Sequence, residues 1–265
     1  MPLGFPRVGH GQTKRVTTIR AFIRRRLDPA QRFGLRATLL GIAVAAGGIG
    51  FGYLVSQVVH NGPLVRVDTA AARNLHEWVS GKGALIVILK VITFLGTPLF
   101  FFLIVSIAAG YLLWRHRLRL AVFLVSTSLG GGIVDSIVKI VVDRDRPNLE
   151  NPLIPLHGKS FPSGHAMSST FVYGALLLTF MPVIPKKRRP WVVAGAVVLV
   201  LAIGVTRLAL GVHYITDIVG GYLLGFVWLT AMTVAFSVWR EERGRKPVEP
   251  MRGLEPEAKK DLARP

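Results

Sequence analysis

The chain has 265 residues, of which 51% are hydrophobic, and it carries a formal net charge of +19 at pH 7. It contains no cysteine, which excludes disulfides, thiolate metal ligands and a cysteine nucleophile. The positive charge alone would suit a nucleic-acid-binding protein. Because the basic residues cluster between long apolar stretches, we attribute the charge to membrane topology and predict no nucleic-acid partner.

The N-terminal segment, residues 1–34, is rich in Arg and Lys and has a single acidic residue, Asp28. Within it, residues 19–27 mix apolar and basic side chains, so this stretch could lie on an anionic inner leaflet. A disordered basic tail fits the same composition, and the sequence leaves both interpretations open.

Six stretches are apolar enough, and nearly all long enough, to cross a membrane as helices. We therefore predict an all-α, polytopic integral membrane protein in which residues 35–239 form one bundle of six transmembrane helices. A shorter apolar run, residues 83–91, is predicted to be an interfacial segment that leads into the second span. The predicted spans are residues 37–58, 93–114, 120–142, 166–184, 191–205 and 218–239.

The basic clusters follow the second, fourth and sixth spans and also precede the first, so all of them fall on one side of the membrane. This pattern predicts a multi-pass protein of the cell membrane, inner or plasma, with both termini in the cytoplasm. The longer loops, residues 59–92 and 143–164 and the turn at 206–217, are then external. Asp68 is predicted to cap an amphipathic helix on that outer surface. The proline-rich residues 240–265 are predicted to be a disordered cytoplasmic tail.

The first cluster of chemically interesting residues ends the third span, where six residues separate Lys139 from Arg146-Pro147. A lysine at this depth often extends toward water, and pairing with Asp135 one turn earlier is equally plausible. The planar guanidinium of Arg146 suits an oxyanion better than a lipid boundary requires.

The second cluster, Pro162-Ser163-Gly164-His165, comes directly before the fourth span. Helix N-termini bind anions because their first N–H groups lack partners. Ser163 is expected to cap this helix and offer its hydroxyl to a phosphate, and Gly164 allows a close backbone approach. An ordinary helix entry with an interfacial histidine remains the alternative.

The third cluster joins the last two spans and contains Arg207, His213 and Asp217. His213 and Asp217 are four residues apart, so on a helix they share a face, and the carboxylate can hold one ring nitrogen while the other stays free to attack. A single histidine at a membrane edge is usually structural. Three clusters at the same end of the predicted bundle favour a site instead.

Together the clusters follow the pattern K-x6-R-P, P-S-G-H and S-R-x5-H-x3-D, and the chain resembles the type 2 phosphatidic acid phosphatases, or lipid phosphate phosphatases. This family shares a core with bacterial acid phosphatases and vanadium haloperoxidases. Every spacing agrees. The one departure is Thr206 in place of serine, which keeps the hydroxyl and adds a methyl group.

The resemblance implies that His213 attacks phosphorus and forms a phosphohistidine, that Asp217 orients it, and that His165 protonates the leaving oxygen. It implies no cofactor and no metal, and the sequence has no Asp/Glu/His cluster with ligand spacing. The groups implied to hold the phosphoryl oxygens are Lys139, Arg146, Ser163, Gly164 and Arg207.

The resulting hypothesis is a membrane lipid phosphatase whose site faces outward and whose substrate enters sideways from the bilayer. Candidate substrates are undecaprenyl pyrophosphate, phosphatidic acid, diacylglycerol pyrophosphate and phosphatidylglycerophosphate, with the isoprenyl pyrophosphate favoured by analogy. A lipid phosphotransferase using the same site, or a catalytically silent lipid-binding or transport protein, are the alternatives. The sequence does not indicate an oligomeric state.

Overall fold

The computed structural model describes residues 32–149, 153–155 and 158–263. The chain divides into two compact units, 1–46 and 47–265, and the packing described below lies within the second. Residues 19–27, for which the sequence leaves two interpretations open, lie outside the described residues.

Helices make up most of the described chain, and no strand is present in the described ranges. Two single-turn 3₁₀ segments, Met181–Val183 and Lys186–Arg188, connect the fourth long apolar stretch to the fifth. The main helices are α1 (Arg32–Val59), α2 (Pro63–Val79), α3 (Gly83–Phe94), α4 (Pro98–Trp114), α5 (Leu118–Val142), α6 (Gly164–Phe180), α7 (Arg189–Ala209) and α8 (Ile215–Glu242).

Within the described ranges, five segments are long and apolar enough to cross a membrane, and α3 with α4 qualifies as a sixth if this pair, bent by 41°, is one span. The predicted all-α membrane fold is therefore confirmed. The five segments are Gly41–Val59, Leu118–Val142, Gly164–Val183, Lys186–Ala209 and Ile215–Glu242.

The second span differs from its prediction, because residues 83–91 belong to α3 and the helix breaks only after Phe94. Pro98 stands at the start of α4, where it cannot supply an N–H to continue the preceding helix. The hydroxyl of Thr97 accepts a hydrogen bond from the Phe100 N–H at 3.3 Å and so caps the new helix. The break puts Gly96 beside the candidate site.

Close packing of α6 against α8 depends on two glycines one turn apart. A Cβ atom at Gly221 would lie 2.7 Å from the carbonyl oxygen of Ser163, and one at Gly225 would lie 2.7 Å from that of Met167. Small residues four apart allow helix backbones to approach in this way. As a result, the Ser163 N–H donates to the Asp217 carbonyl at 2.9 Å, which ties the start of α6 to the first turn of α8.

Asp68 does not cap a helix, contrary to the sequence prediction. Helix α2 begins at Pro63 with Gly62 as its N-cap, and Asp68 lies in its second turn, facing inward and buried. Proline at the first helical position was the stronger start signal, because its fixed φ suits that position. The carboxylate instead contacts Thr216 and Arg144.

The C-terminal tail, predicted to be disordered, is folded over most of its length. It forms 3₁₀ turns at Pro250–Arg252 and Pro256–Ala258 and a short helix, α9 (Lys259–Leu262). Its apolar residues Leu254, Ala258 and Leu262 are buried in the main core, and its acidic residues pair with basic side chains, as Glu257 does with Arg240 at 2.8 Å. These buried apolar residues and ion pairs hold the tail against the helices.

Candidate active site

The three sequence clusters meet at one end of the helices. Lys139 lies near the end of α5, and its ammonium group is 2.5 Å from both carboxylate oxygens of Asp135. The pair lies against the start of α6, where a Cβ at Gly164 would be 3.1 Å from Lys139 Nζ and 3.1 Å from Asp135 Oδ2. A side chain at position 164 would therefore crowd this pair, and glycine gives it room.

Arg146, in the loop after α5, contacts both His213 and its neighbour. Its NH1 donates to the Val212 carbonyl at 2.7 Å and lies 3.1 Å from His213 Nε2, while Nε donates to the Gly158 carbonyl at 3.1 Å. A guanidinium can only donate hydrogen bonds. His213 Nε2 must therefore present its lone pair toward Arg146.

The other ring nitrogen of His213 is held by Asp217. Nδ1 lies 3.3 Å from Asp217 Oδ2 and 3.4 Å from the hydroxyl of Ser160. With Nε2 as the acceptor, the ring is neutral and carries its proton on Nδ1, which donates to the carboxylate. Burial lowers the pKa of His213 to about 4, although the hydrogen bond and negative charge of Asp217 act in the opposite direction. The imidazole is thus a neutral base with a lone pair on Nε2.

Among the described residues, the Asp217 carboxylate accepts four hydrogen bonds, two of them from side chains that local sequence patterns did not indicate, those of Arg144 and Ser160. Oδ2 accepts from the Tyr214 N–H at 2.8 Å, from the Ser160 hydroxyl and from His213. Oδ1 accepts from Arg144 NH1 at 2.6 Å. Arg144 and Ser160 lie 73 and 57 residues from Asp217 in sequence, so no local pattern could have indicated either contact.

At the start of α6, His165 lines the cavity, whereas Ser163 does not. Ser163 is the N-cap residue, but its hydroxyl makes no capping bond, and its buried Oγ has no hydrogen-bond partner among the described residues. Within the same described part of the chain, the buried Nε2 of His165 also has no partner. Buried polar atoms are normally paired, so the unpaired His165 Nε2 at the cavity points to a ligand that is bound there during function.

Arg207, in the last turn of α7, is oriented by the break between α3 and α4. Its NH1 donates to the Thr93 hydroxyl at 3.1 Å, and its buried Nε has no partner in the part of the chain that the structure describes. A Cβ at Gly96 would come within 3.1 Å of the His165 ring, so the break also fits closely against that residue. The neighbouring Thr206 is buried, and its hydroxyl donates to the Ile203 carbonyl at 2.6 Å. The hydroxyl retained at this position therefore hydrogen-bonds to the backbone of its own helix, α7.

A cavity of about 880 Å³ connects this polar cluster with an apolar groove that runs along α4 toward Leu113. Most of the predicted site residues line it, whereas Ser163 and Asp217 lie behind its wall. The polar lining includes Lys139, Arg146, Gly164, His165, Arg207 and His213, and the apolar lining includes Phe101, Phe102, Val105, Leu113, Val125 and Leu129.

The fold and this cavity define a helical membrane protein in which a polar end lined by Lys139, Arg146 and Arg207 opens into an apolar groove. A family model described as the PAP2 superfamily matches residues 119–241. Phosphatidylglycerophosphatase B of Bacillus subtilis is 32% identical over 176 residues, which cover 61% of this chain and 83% of the relative. The chain belongs to the PAP2 superfamily, in agreement with the resemblance noted from the three motifs.

Two further comparisons agree with this assignment. An undecaprenyl-diphosphatase of Sulfolobus acidocaldarius is 27% identical over 135 residues, 49% of this chain and 61% of that protein. The fold is similar to the crystal structure of a transmembrane PAP2-type phosphatidylglycerolphosphate phosphatase from Bacillus subtilis, with a TM-score of 0.67 and 24% identity. That match covers 72% of this chain and 94% of the other. The chain is thus a membrane phosphatase of the PAP2 type.

Proposed function

We propose that this protein hydrolyses a lipid phosphate through a phosphohistidine formed on His213. The observation that carries the proposal is the state of this residue: Nδ1 is tied to a buried carboxylate, and Nε2 keeps a lone pair next to three cations. Anion binding alone would need the cations but not an oriented, neutral imidazole. This difference favours the enzyme over a silent lipid-binding protein.

In the first step, Nε2 of His213 attacks the phosphorus atom. A P–N bond forms as the P–O bond to the lipid breaks, and His165 gives its proton to the leaving oxygen. In the second step, water attacks the phosphorus and gives a proton to His165, and the P–N bond breaks to release inorganic phosphate. The proton balance of His165 is restored after each turnover.

The cations stabilise the charge of the transferred phosphoryl group. Lys139, Arg146 and Arg207 reach the same end of the cavity from α5, the following loop and α7. Positioning and charge stabilisation are the main requirements of phosphoryl transfer, and three fixed cations can meet them without a metal ion. Arg146 would exchange its contact with His213 for a phosphoryl oxygen when substrate binds, and this frees Nε2 to attack.

The groove indicates how a lipid would lie in the site. Its apolar lining along α4 and α5 suits acyl or prenyl chains, while the headgroup reaches the cations at the polar end. Phosphatidylglycerophosphate is the first substrate to test, because the relative with 32% identity is named for that activity. Undecaprenyl diphosphate is the second substrate to test, because a relative with 27% identity is named for that activity.

The proposed orientation puts the site on the outer face of the cell membrane and both termini in the cytoplasm. The absence of cysteine allows a clean test with single cysteines. Asn74 in α2 and Lys187 before α7 are both exposed. In intact cells, a membrane-impermeant maleimide should label Asn74→Cys and leave Lys187→Cys unlabelled. The reverse labelling would place the site in the cytoplasm.

Hydrolysis is tested by phosphate release from the purified protein in detergent with excess EDTA, on a panel of the candidate lipids. Release that survives EDTA, is inhibited by vanadate and disappears in His213→Ala would support the proposed reaction. Loss of activity in EDTA that returns with added metal would refute metal independence. Label transfer from substrate to a second lipid, without phosphate release, would favour the phosphotransferase.

A further inference from the structure

The Arg144 side chain bridges two buried carboxylates that lie far apart in sequence. Its NH1 is 2.6 Å from Asp217 Oδ1, and its NH2 is 2.8 Å from Asp68 Oδ2. The side chains of Arg144, Asp68 and Asp217 are 8%, 1% and 0% exposed, so all three are removed from water. The guanidinium also stacks on the ring of Tyr214, 4.1 Å from its centroid.

Asp68 is fully engaged in holding this arrangement. Its Oδ1 accepts from the Thr216 N–H at 3.0 Å and its Oδ2 from the Thr216 hydroxyl at 2.5 Å. The same hydroxyl accepts from Arg144 NH1 at 2.7 Å. The external helix α2 is thereby connected, through one arginine and one threonine, to the start of α8.

Together these contacts determine the orientation of the Asp217 carboxylate. Arg144 holds Oδ1, whereas Ser160 and the Tyr214 N–H hold Oδ2 in the position where it accepts from His213. Without the guanidinium, the carboxylate could rotate about its own axis and would be a buried charge with reduced compensation. The planar guanidinium is suited to prevent both changes, since NH2 is held by Asp68 and its rigid geometry then fixes NH1 on Asp217.

We propose that Arg144, held by Asp68, is a positioning residue that fixes the Asp217–His213 pair for phosphoryl transfer. This inference rests on the proposed function of His213. Arg144 does not line the cavity and touches no substrate in this account. Its contribution is to keep Asp217 charged and correctly turned, so that the proton of His213 stays on Nδ1.

The charges around His213 determine in which direction its pKa should move when one of them is removed. Asp217 faces it from α8, Arg146 from the loop after α5, Arg207 from α7 and His165 from α6. The Lys139–Asp135 pair lies further along the same cavity. Arg144 is the cation on the far side of Asp217, so its removal leaves more negative charge near the imidazole and should raise the pKa of His213. Removal of Asp68 leaves more positive charge and should lower that pKa.

The test compares Arg144→Gln, Arg144→Lys and Asp68→Asn in the full-length protein, with phosphate release from the best substrate measured across pH. Arg144→Gln should lower kcat by about 10- to 100-fold, the loss found when partners that orient metal-bound histidines are removed. KM should change little. The acid limb of kcat/KM should move to higher pH in Arg144→Gln, stay in place in Arg144→Lys, and move to lower pH in Asp68→Asn.

Two controls separate positioning from general stability. Arg240→Gln removes another buried arginine paired with carboxylates, at the opposite end of the helices. It should lower Tm and leave both kcat and the acid limb unchanged. In an Asp217→Asn background, Arg144→Gln should reduce kcat by less than about twofold further, because residues that act as a unit are not additive.

Several results would overturn the inference while leaving the proposed function intact. These are wild-type kcat and an unmoved acid limb in Arg144→Gln, full additivity with Asp217→Asn, or failure of all three variants to fold. If Arg144→Gln alone fails to fold, Arg144→Lys and Asp68→Asn still decide the matter by kcat and by the acid limb. No phosphate release by the folded wild-type protein would instead refute the proposed function itself.

Discussion

Asp217→Asn is the substitution for which the structure gives the sharpest expectation. Four donors point at the carboxylate: Arg144, Ser160, the Tyr214 N–H and His213. An asparagine has the same shape, but only one of its two terminal atoms can accept hydrogen bonds. One side of the new amide must therefore face donors with an NH2 group.

The orientation of the new amide determines which ring nitrogen of His213 carries the proton. An NH2 group at the Oδ1 position would face Arg144 NH1, a permanent donor only 2.6 Å away. At the Oδ2 position it faces Ser160, which can rotate, His213, which can move its proton, and the Tyr214 N–H, a fixed but uncharged donor at 2.8 Å. Because leaving the charged Arg144 donor unpaired costs more than leaving one neutral N–H unpaired, the amide should turn its oxygen toward Arg144 and its NH2 toward His213, so that the ring proton moves to Nε2 and the lone pair needed for attack is lost.

The size of the effect follows from the same geometry. The equivalent substitution in a serine protease triad also traps the wrong tautomer and lowers kcat by about 10⁴-fold, or roughly 5 kcal/mol. We expect a loss of kcat of about 10³- to 10⁴-fold here. Asp217 does not line the cavity, so KM should change by less than about threefold.

The assay is steady-state phosphate release by the purified variant, with Tm and gel-filtration profile as checks on folding. The nitrogen shifts of labelled His213 report the tautomer directly. A folded variant whose kcat falls by less than about tenfold, or whose His213 still carries its proton on Nδ1, would refute the reasoning.

Three further predictions use other parts of the site and one remote pair. Gly164→Ala should raise KM by about tenfold, because a Cβ would press on Lys139 and Asp135, whereas Gly132→Ala, also at the cavity but with open space for a Cβ, should not. His213 should titrate near pH 4 by NMR, because burial lowers its pKa. Its neutral, nucleophilic form should therefore persist as the pH falls and be lost only near pH 4. A titration midpoint above pH 6 would contradict this effect of burial. Arg240→Gln should lower Tm by about 5 °C, because the buried carboxylate of Glu255 loses a cationic partner. A change in kcat there would show coupling between the tail and the site.

Much of the architecture can be predicted from the sequence, because each long helix is marked by its own continuous apolar stretch. The motif residues were expected together since each cluster lies at a helix end on one side of the predicted bundle. The structure does bring Lys139, Arg146, His165, Arg207 and His213 to one cavity. The break before α4 also had a local signal, Thr97-Pro98, that identifies a helix start.

The remaining features depend on contacts between distant segments. Asp68 and Thr216 are 148 residues apart, and only the packed fold shows that the aspartate is a buried acceptor. The hydroxyl of Ser163 is predicted to cap α6, but it makes no capping bond and Ser163 does not line the cavity, and both facts depend on how α6 packs rather than on a local pattern. The tail is predicted to be disordered because it is rich in proline and alternates in charge, whereas the contacts that order it, such as that of Glu255 with Arg117, involve distant segments.

The most direct test of the account is to trap the covalent intermediate. Purified protein is mixed with a lipid substrate that carries ³²P in the transferred phosphate. The reaction is stopped within one turnover by adding alkali, because phosphohistidine survives in alkali. We expect the label on the peptide that contains His213, and no label in His213→Ala. Rapid phosphate release with no labelled peptide, or the same label in His213→Ala, would contradict the proposed nucleophile.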